Sequence, residues 1–439
     1  MLRLVICFSW LILSCGQVMF WWRRDNIFGY LQAGFFFATI AIPVLATSVL
    51  DDFDPAIVNL YADIMVVGAV AFVVGLSCGA FVGHRWRLPR LSLVRNLDVV
   101  PSVLVKRARQ ASLGALGILA LSFVLLGYLP ILAADRVSAK YGIGVYAAGY
   151  ARGSLVVHVG LIVASTVLPV ALALYLRHRR PVDLILAGAL FLGLIATLSR
   201  GRALLGPIVL LIALAIERRW RPWRIVVVVC FAFISGTLFN EIVLRTSPPG
   251  TTLGTRFVAS APDLVDHVAF LRGYEGAGGD QVGLKPVLAS LSLTKGEFNP
   301  PEYALRIRTG IPDVTGFASG GLRLPAPIWG YASYGYPGLI VWSVLSGIVI
   351  GCGTVMMRRL LSKVHGLRGQ CLNLVLAWVF FEGTFSVLSD FYFFERVGIV
   401  SFALAVFLCW THVKGSPPAG SADTDKVRPP DVEAVRGAG

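Results

Sequence analysis

Residues 57–83 read IVNLYADIMVVGAVAFVVGLSCGAFVG, with one carboxylate, Asp63, and no lysine or arginine. As a helix this stretch is about 40 Å long, more than the ~30 Å hydrocarbon core of a bilayer. It is therefore expected to cross a membrane. Working outward, comparable apolar blocks occupy 4–22, 28–50, 110–134, 154–176, 182–198, 203–217, 225–244, 336–357, 370–390 and 397–413. The expected fold is all-α: a polytopic transmembrane helical bundle of about 11 spans, counting ~20 residues per crossing. The first block resembles a signal peptide at its start, but it continues into Arg23 and Arg24 and reads as a retained helix.

Composition agrees. Of 439 residues 56% are hydrophobic and only 14% charged, against about 25% charged in a soluble protein. An ordinary globular enzyme, a disordered chain and a disulfide scaffold are all excluded. The seven cysteines lie in or beside apolar blocks without the spacing of a zinc site. No Gly-rich phosphate loop stands in a strand–helix context, so neither a nucleotide-sugar site nor any cofactor is expected, and no nucleic-acid partner.

Lysine and arginine concentrate in alternate loops: Arg23-Arg24, Arg85 to Arg109, Arg177 to Arg180, Arg218 to Arg221, and Arg358 to Arg368. The positive-inside rule makes these cytoplasmic in a multi-pass membrane protein, and the excess of arginine over lysine, with abundant Ala, Gly and Val, suggests a GC-rich bacterial genome and so a bacterial cytoplasmic (inner) membrane. Four regions follow. Residues 1–244 hold spans 1–8, 245–325 form a large extracytoplasmic (periplasmic) loop, 326–413 hold spans 9–11, and 414–439 form a disordered cytoplasmic tail.

The loop 245–325 is far longer than an ordinary connection and carries aromatic residues and turn signals, so it is expected to be structured and functional. Asp263 to Leu271 reads as a short helix with Leu264, Val268 and Leu271 on one side. Asp263 and His267 share a face there and suit a carboxylate–imidazole base for a sugar hydroxyl; an amphipathic helix with a polar edge explains the same letters.

Basic residues on the outer side run against the positive-inside bias. Arg136, Arg152, Arg200, Arg202, Arg245, Arg272 and Arg323 are the candidate ligands for a lipid phosphate or pyrophosphate, since a guanidinium grips phosphate oxygens with two N–H groups. Headgroup anchoring or loop ion pairs account equally for any one of them. Arg200 and Arg202 stand out because they interrupt two apolar blocks. Among carboxylates, Asp63, Glu241 and Glu382 fall in the outer half of spans, where a charge needs a partner. Catalysis or a packing ion pair are the two readings. The acidic run Asp52-Phe53-Asp54 reads either as a metal-holding pair or as an outside turn.

Three passages resemble the bacterial O-antigen and oligosaccharide repeat-unit polymerases, the Wzy family. Gly127-Tyr128-Leu129-Pro130-Ile131-Leu132 is similar to that family's Gly…Pro-Leu element. Leu198-Ser199-Arg200-Gly201-Arg202 is similar to the Ser-Arg-Gly turn shared with O-antigen ligases. Residues 327–338, PIWGYASYGYPG, are similar to the glycine-rich re-entry after the large loop, with Tyr331 where relatives commonly carry an acidic residue. The resemblance implies a glycosyltransferase whose donor and acceptor are oligosaccharides on undecaprenyl pyrophosphate, with a chain-length regulator and a flippase as possible partners. Two alternatives stay open: the O-antigen ligase type, with a reactive loop histidine such as His267, and a transporter or flippase of lipid-linked sugars.

Overall fold

The computed structural model describes residues 5–6, 27, 30–31, 34, 40–46, 50–85, 102–244, 263–290, 298–312, 322, 324–361, 371–372, 374–376, 378–379, 400, 403–404 and 407–408. Among these all regular structure is helical. Four stretches are long and apolar enough to cross a membrane: Pro55–Arg85, Ser102–Leu126, Arg136–His178 and Ala326–Cys352. The expected spans over 4–22, 28–50, 370–390 and 397–413 and the tail from 414 lie largely or wholly outside the described residues.

Helix α1 is Pro55–Arg85. Asp54 starts it, its carboxylate accepting the Ala56 N–H at 2.9 Å, with Pro55 in the first position where a missing N–H costs nothing. Helix α2 is Ser102–Leu126, ending well before the expected 134. Gly127 takes φ 74° and donates to the carbonyls of Phe123 and Val124, a glycine stop. A 3₁₀ turn over Pro130–Leu132 and a short helix α3, Arg136–Tyr141, follow. Helix α4, Ala147–His178, starts about two turns earlier than the apolar block. The block pair around Ser199 forms two separate helices, α5 (Pro181–Ala196) and α6 (Arg200–Glu217). Helix α7 is Pro222–Leu244.

Three further helices follow α7 among the described residues: α8 (Asp263–Gly276), α9 (Lys285–Ser290) and α10 (Pro300–Thr309). Leu264, Val268 and Leu271 are buried together, as the helical spacing requires. The last described long helix, α11, is Ala326–Leu361, and its backbone leaves helical geometry at Tyr334 and Gly335. The chain reverses there. A Cβ on Gly330 would lie 2.6 Å from the Gly338 carbonyl oxygen, whereas eight residues of straight helix separate their ends by about 12 Å. α11 is thus a hairpin: a short arm to Ser333, a tight turn using the φ 65° of Gly335, and a long arm of about 39 Å from Tyr336 that is still able to span.

The long arm runs beside α1 in the same direction. Gly75 abuts the backbone of Val344, Gly79 that of Ile348, Gly347 that of Phe72 and Gly351 that of Leu76. Small residues every fourth position let two backbones touch, which is how membrane helices associate without a hydrophobic driving force between them. The short arm fills the outer end of this seam, Pro327 lying against Gly68. One apolar core joins the outer half of α1, the short arm, α8 and α10.

A second group packs α2, α4, α5, α6 and α7. Leu119 of α2 meets Gly160 of α4 and Gly193 of α5. Arg109 grips Asp183 through two hydrogen bonds of 2.7 and 3.0 Å, which neutralises a carboxylate that is only 1% exposed. That pair fixes α5 on α2.

Candidate functional site

Two features gather the polar residues. The first is the turn between α5 and α6. These helices have 16 and 18 residues, about 24 and 27 Å, while neighbouring α4 has 32 residues, about 48 Å. Gly206 of α6 packs on Leu168 and Pro169 of α4. Arg200 therefore lies about 9 Å above that level, far below the outer end of α4 at Ala147. The turn is recessed within the bundle. It is also strained: Leu198 is buried with φ 60°, a conformation that side chains with a Cβ rarely adopt. Thr197 steadies it, donating to the Leu194 carbonyl at 2.6 Å.

Arg200 opens α6, and Arg202 is half-buried two residues further on. A helix N-terminus carries partial positive charge, so two arginines there oppose the local dipole unless an anion joins them. Helix α7 brings Glu241 to the same depth. Gly236 packs on Leu204, and five residues of α7 raise Glu241 about 7.5 Å above it, while four residues of α6 raise Arg200 about 6 Å. The side chains of Arg200 and Glu241 lie outside the described set.

The segment between α2 and α4 stands over this turn, its 3₁₀ turn resting on α5. The segment is well knit. Asp135 caps α3 through Ser138 at 3.0 Å, which holds its exposed carboxyl below the usual range, and Tyr128 donates to the Ala139 carbonyl at 2.9 Å. Arg136 lies within it, donating Nε–H to Ile131 at 3.1 Å. Arg152, exposed on the second turn of α4, donates to Ala148.

The second feature is the hairpin of α11 with the loop helices. Turning the chain at Tyr334 releases carbonyls from helical bonding, and the loop takes them up. Val282 N–H donates to Ala332 at 3.0 Å and Gly283 N–H to Ser333 at 3.2 Å. The Tyr274 hydroxyl donates to Ala332 at 3.1 Å and lies 2.8 Å from the Gly279 carbonyl. Burial, with Tyr303, Glu275, Tyr331 and Asp280 adding, pushes the Tyr274 phenol up to about 12, so it stays a donor at any physiological pH. A ladder of rings runs from Phe298 through Tyr303, Trp329, Phe270, Tyr274 and Tyr331 to Tyr336, with centroid separations of 5.2 to 6.4 Å. Tyr274→Phe should cost about 1–2 kcal/mol by removing the donor shared by the Gly279 and Ala332 carbonyls, the latter keeping its bond from Val282. Faster proteolysis of the 277–283 segment is the expected readout, and an unchanged cleavage rate would refute the clasp.

His267 is 1% exposed, its ring 6.2 Å from that of Tyr61. It belongs to the core between α8 and α1 and presents no face to a substrate in this conformation. Beside it Asp266 pairs with Arg308 of α10 at 3.0 Å, so the acidic partner next to the histidine is tied to packing. The Asp263 side chain, Glu382, Arg245 and Arg323 lie outside the described residues. Arg272 is exposed on α8. Asp54, read as part of an acidic pair, serves as a helix cap.

Sequence reasoning passed over Glu275. Tyr331, on the short arm of α11, donates to its Oε1 at 3.1 Å, which brings a carboxylate of α8 to the hairpin. The tyrosines at 331, 334 and 336 were the available signal. No protein-family description, curated protein or solved structure matches this chain.

Proposed function

We propose that this protein is a membrane glycosyltransferase that polymerises undecaprenyl-pyrophosphate-linked oligosaccharide repeat units on the outer face of the bacterial cytoplasmic membrane, in O-antigen, capsule or exopolysaccharide synthesis. The observation that carries this reading is the arginine pair at the start of α6, recessed among apolar helices. An intramembrane cation is costly and is retained where it has a partner to hold.

In the reaction an acceptor sugar hydroxyl attacks the anomeric carbon of the donor. The C–O bond to pyrophosphate breaks, and the hydroxyl proton passes to a base. Charge develops on the departing pyrophosphate, where Arg200 and Arg202 stabilise it with N–H donors, while Arg136 and Arg152, placed higher, suit the approach of the anionic substrate. Asp263, Glu241 and Glu382 are the carboxylate bases nominated by sequence, and Glu275 is added by its place beside Tyr331. His267, buried as it is, would need α8 to lift before it could serve. Incubating the purified protein with one lipid-pyrophosphate repeat unit and no nucleotide sugar should give a ladder of products. Complete absence of chain growth with a chemically competent substrate would sink the polymerase reading.

The hairpin of α11 favours a second reading, since transporters place discontinuous helices at their substrate sites. Uptake of lipid-linked sugar into empty proteoliposomes, with no glycosidic product, would select it.

A further inference from the structure

Rings and carboxylates meet at the tip of the α11 hairpin. Tyr334 and Tyr336 flank the reversal and are 43% and 42% exposed, whereas Tyr30 and Tyr61 are fully buried. Both exposed rings are held in place. Tyr336 stands edge-on to Tyr331 at 5.5 Å, and the Tyr334 hydroxyl lies over Gly283, where a Cβ would approach it to 3.5 Å.

Around them stand acids. Glu275 is oriented by the Tyr331 hydroxyl at 3.1 Å, Asp63 and Glu275 both lie within electrostatic reach of the Tyr336 hydroxyl, and Asp280 and Glu275 within reach of Tyr274. All three carboxylates are exposed. Arg306 acts on Tyr303 at the inner side of the ladder, and Lys285 is exposed at the start of α9.

This combination selects its ligand by chemistry. A phosphate is repelled by ionised carboxylates. An acyl chain gains nothing from covering charged groups that water solvates better. A sugar ring fits both parts: its C–H face is weakly positive and rests on the negative face of a phenol ring, while its hydroxyls donate to carboxylates in charge-assisted bonds.

The geometry points to a glycan subsite at the hairpin tip, formed by Tyr334, Tyr336, Glu275, Asp280 and Asp63, that takes neutral or amine-bearing sugar rings and rejects uronic acids. It deepens the glycosyltransferase reading, resting on it for the subsite's role. Binding is measurable without polymerisation, so the two ideas can fail separately.

The test is saturation-transfer NMR on the full chain in nanodiscs of zwitterionic lipid, with maltotriose, a glucosamine trimer and trigalacturonate as probes. Maltotriose and the glucosamine trimer should receive saturation, and trigalacturonate at least about tenfold less. Tyr336→Ala should abolish the first two signals. Glu275→Gln with Asp280→Asn, both at exposed positions, should admit trigalacturonate and weaken the glucosamine trimer; this variant carries the test if Tyr336→Ala does not fold. Saturation of none of the probes by the native protein, equal saturation of trigalacturonate, or unchanged probe selectivity in the charge-neutralised variant would overturn the subsite. Sugar binding as expected in a protein that makes no ladder would overturn the polymerase reading and leave the subsite standing.

Discussion

Arg200→Ala and Arg202→Ala are each expected to abolish polymer while the protein stays folded in the membrane. Removing one preorganised donor from a site where charge develops typically costs about 10²–10³ in rate. A chain that needs many successive transfers falls to single units under such a loss. Lysine at either position should restore part of the activity, because it keeps the charge and loses the planar fork. The measurement is the chain-length distribution on a gel, beside the membrane content and thermal midpoint of each variant. Full-length polymer from both alanine variants would remove these arginines from the mechanism. A lowered midpoint with polymer retained would identify a packing pair, for which Glu241 at the same depth is the natural partner.

Gly79→Leu and Gly75→Leu should have the largest effect on folding. Each new side chain would be driven into a backbone carbonyl of the neighbouring helix, that of Ile348 or Val344. A flexible side chain can turn aside, but a carbonyl held in a helix cannot, so the cost should exceed the ~1–3 kcal/mol usual for an overpacked core. Loss of the monodisperse protein after solubilisation is the expected outcome. Gly117→Leu is the matched control, since nothing lies within 4 Å of a Cβ there. Equal thermal midpoints for Gly79→Leu and Gly117→Leu would show that the α1–α11 seam is not what it is taken to be.

Among the described residues helix existence was legible from the apolar blocks, because the length needed to cross hydrocarbon leaves a strong signal in one dimension. Ends were less so. Gly127 and Pro130 mark the stop of α2 plainly, yet the apolar letters beyond them extended the expected span to 134. The division at Ser199 was visible as a break, but its depth was not, since depth depends on how Gly206 registers with Leu168 and Pro169 of another helix. The reversal at Tyr334 and Gly335 was hidden for a related reason: a short apolar arm folded back on a span has the same composition as the span. Histidine placement shows the limit most clearly. His267 shares a helix face with Asp263 by spacing, but burial against Tyr61 comes from the distant α1, and no local pattern encodes it.

The shortness of α5 has a consequence for the lipid around it. Leu184, Ile185 and Leu192 on this helix are exposed, so its apolar surface meets acyl chains over only about 24 Å. A bilayer of ordinary thickness would be mismatched there by several ångströms, and it adjusts by thinning or by admitting water above the short edge. With the polyprenyl-linked substrate proposed above, either adjustment would shorten the distance its headgroup must sink to reach the turn. Turnover should accordingly fall in bilayers of long-chain lipid and rise in thin ones, measured in vesicles that differ only in acyl length. Bilayer thickness would then act as a control on this protein as direct as any residue.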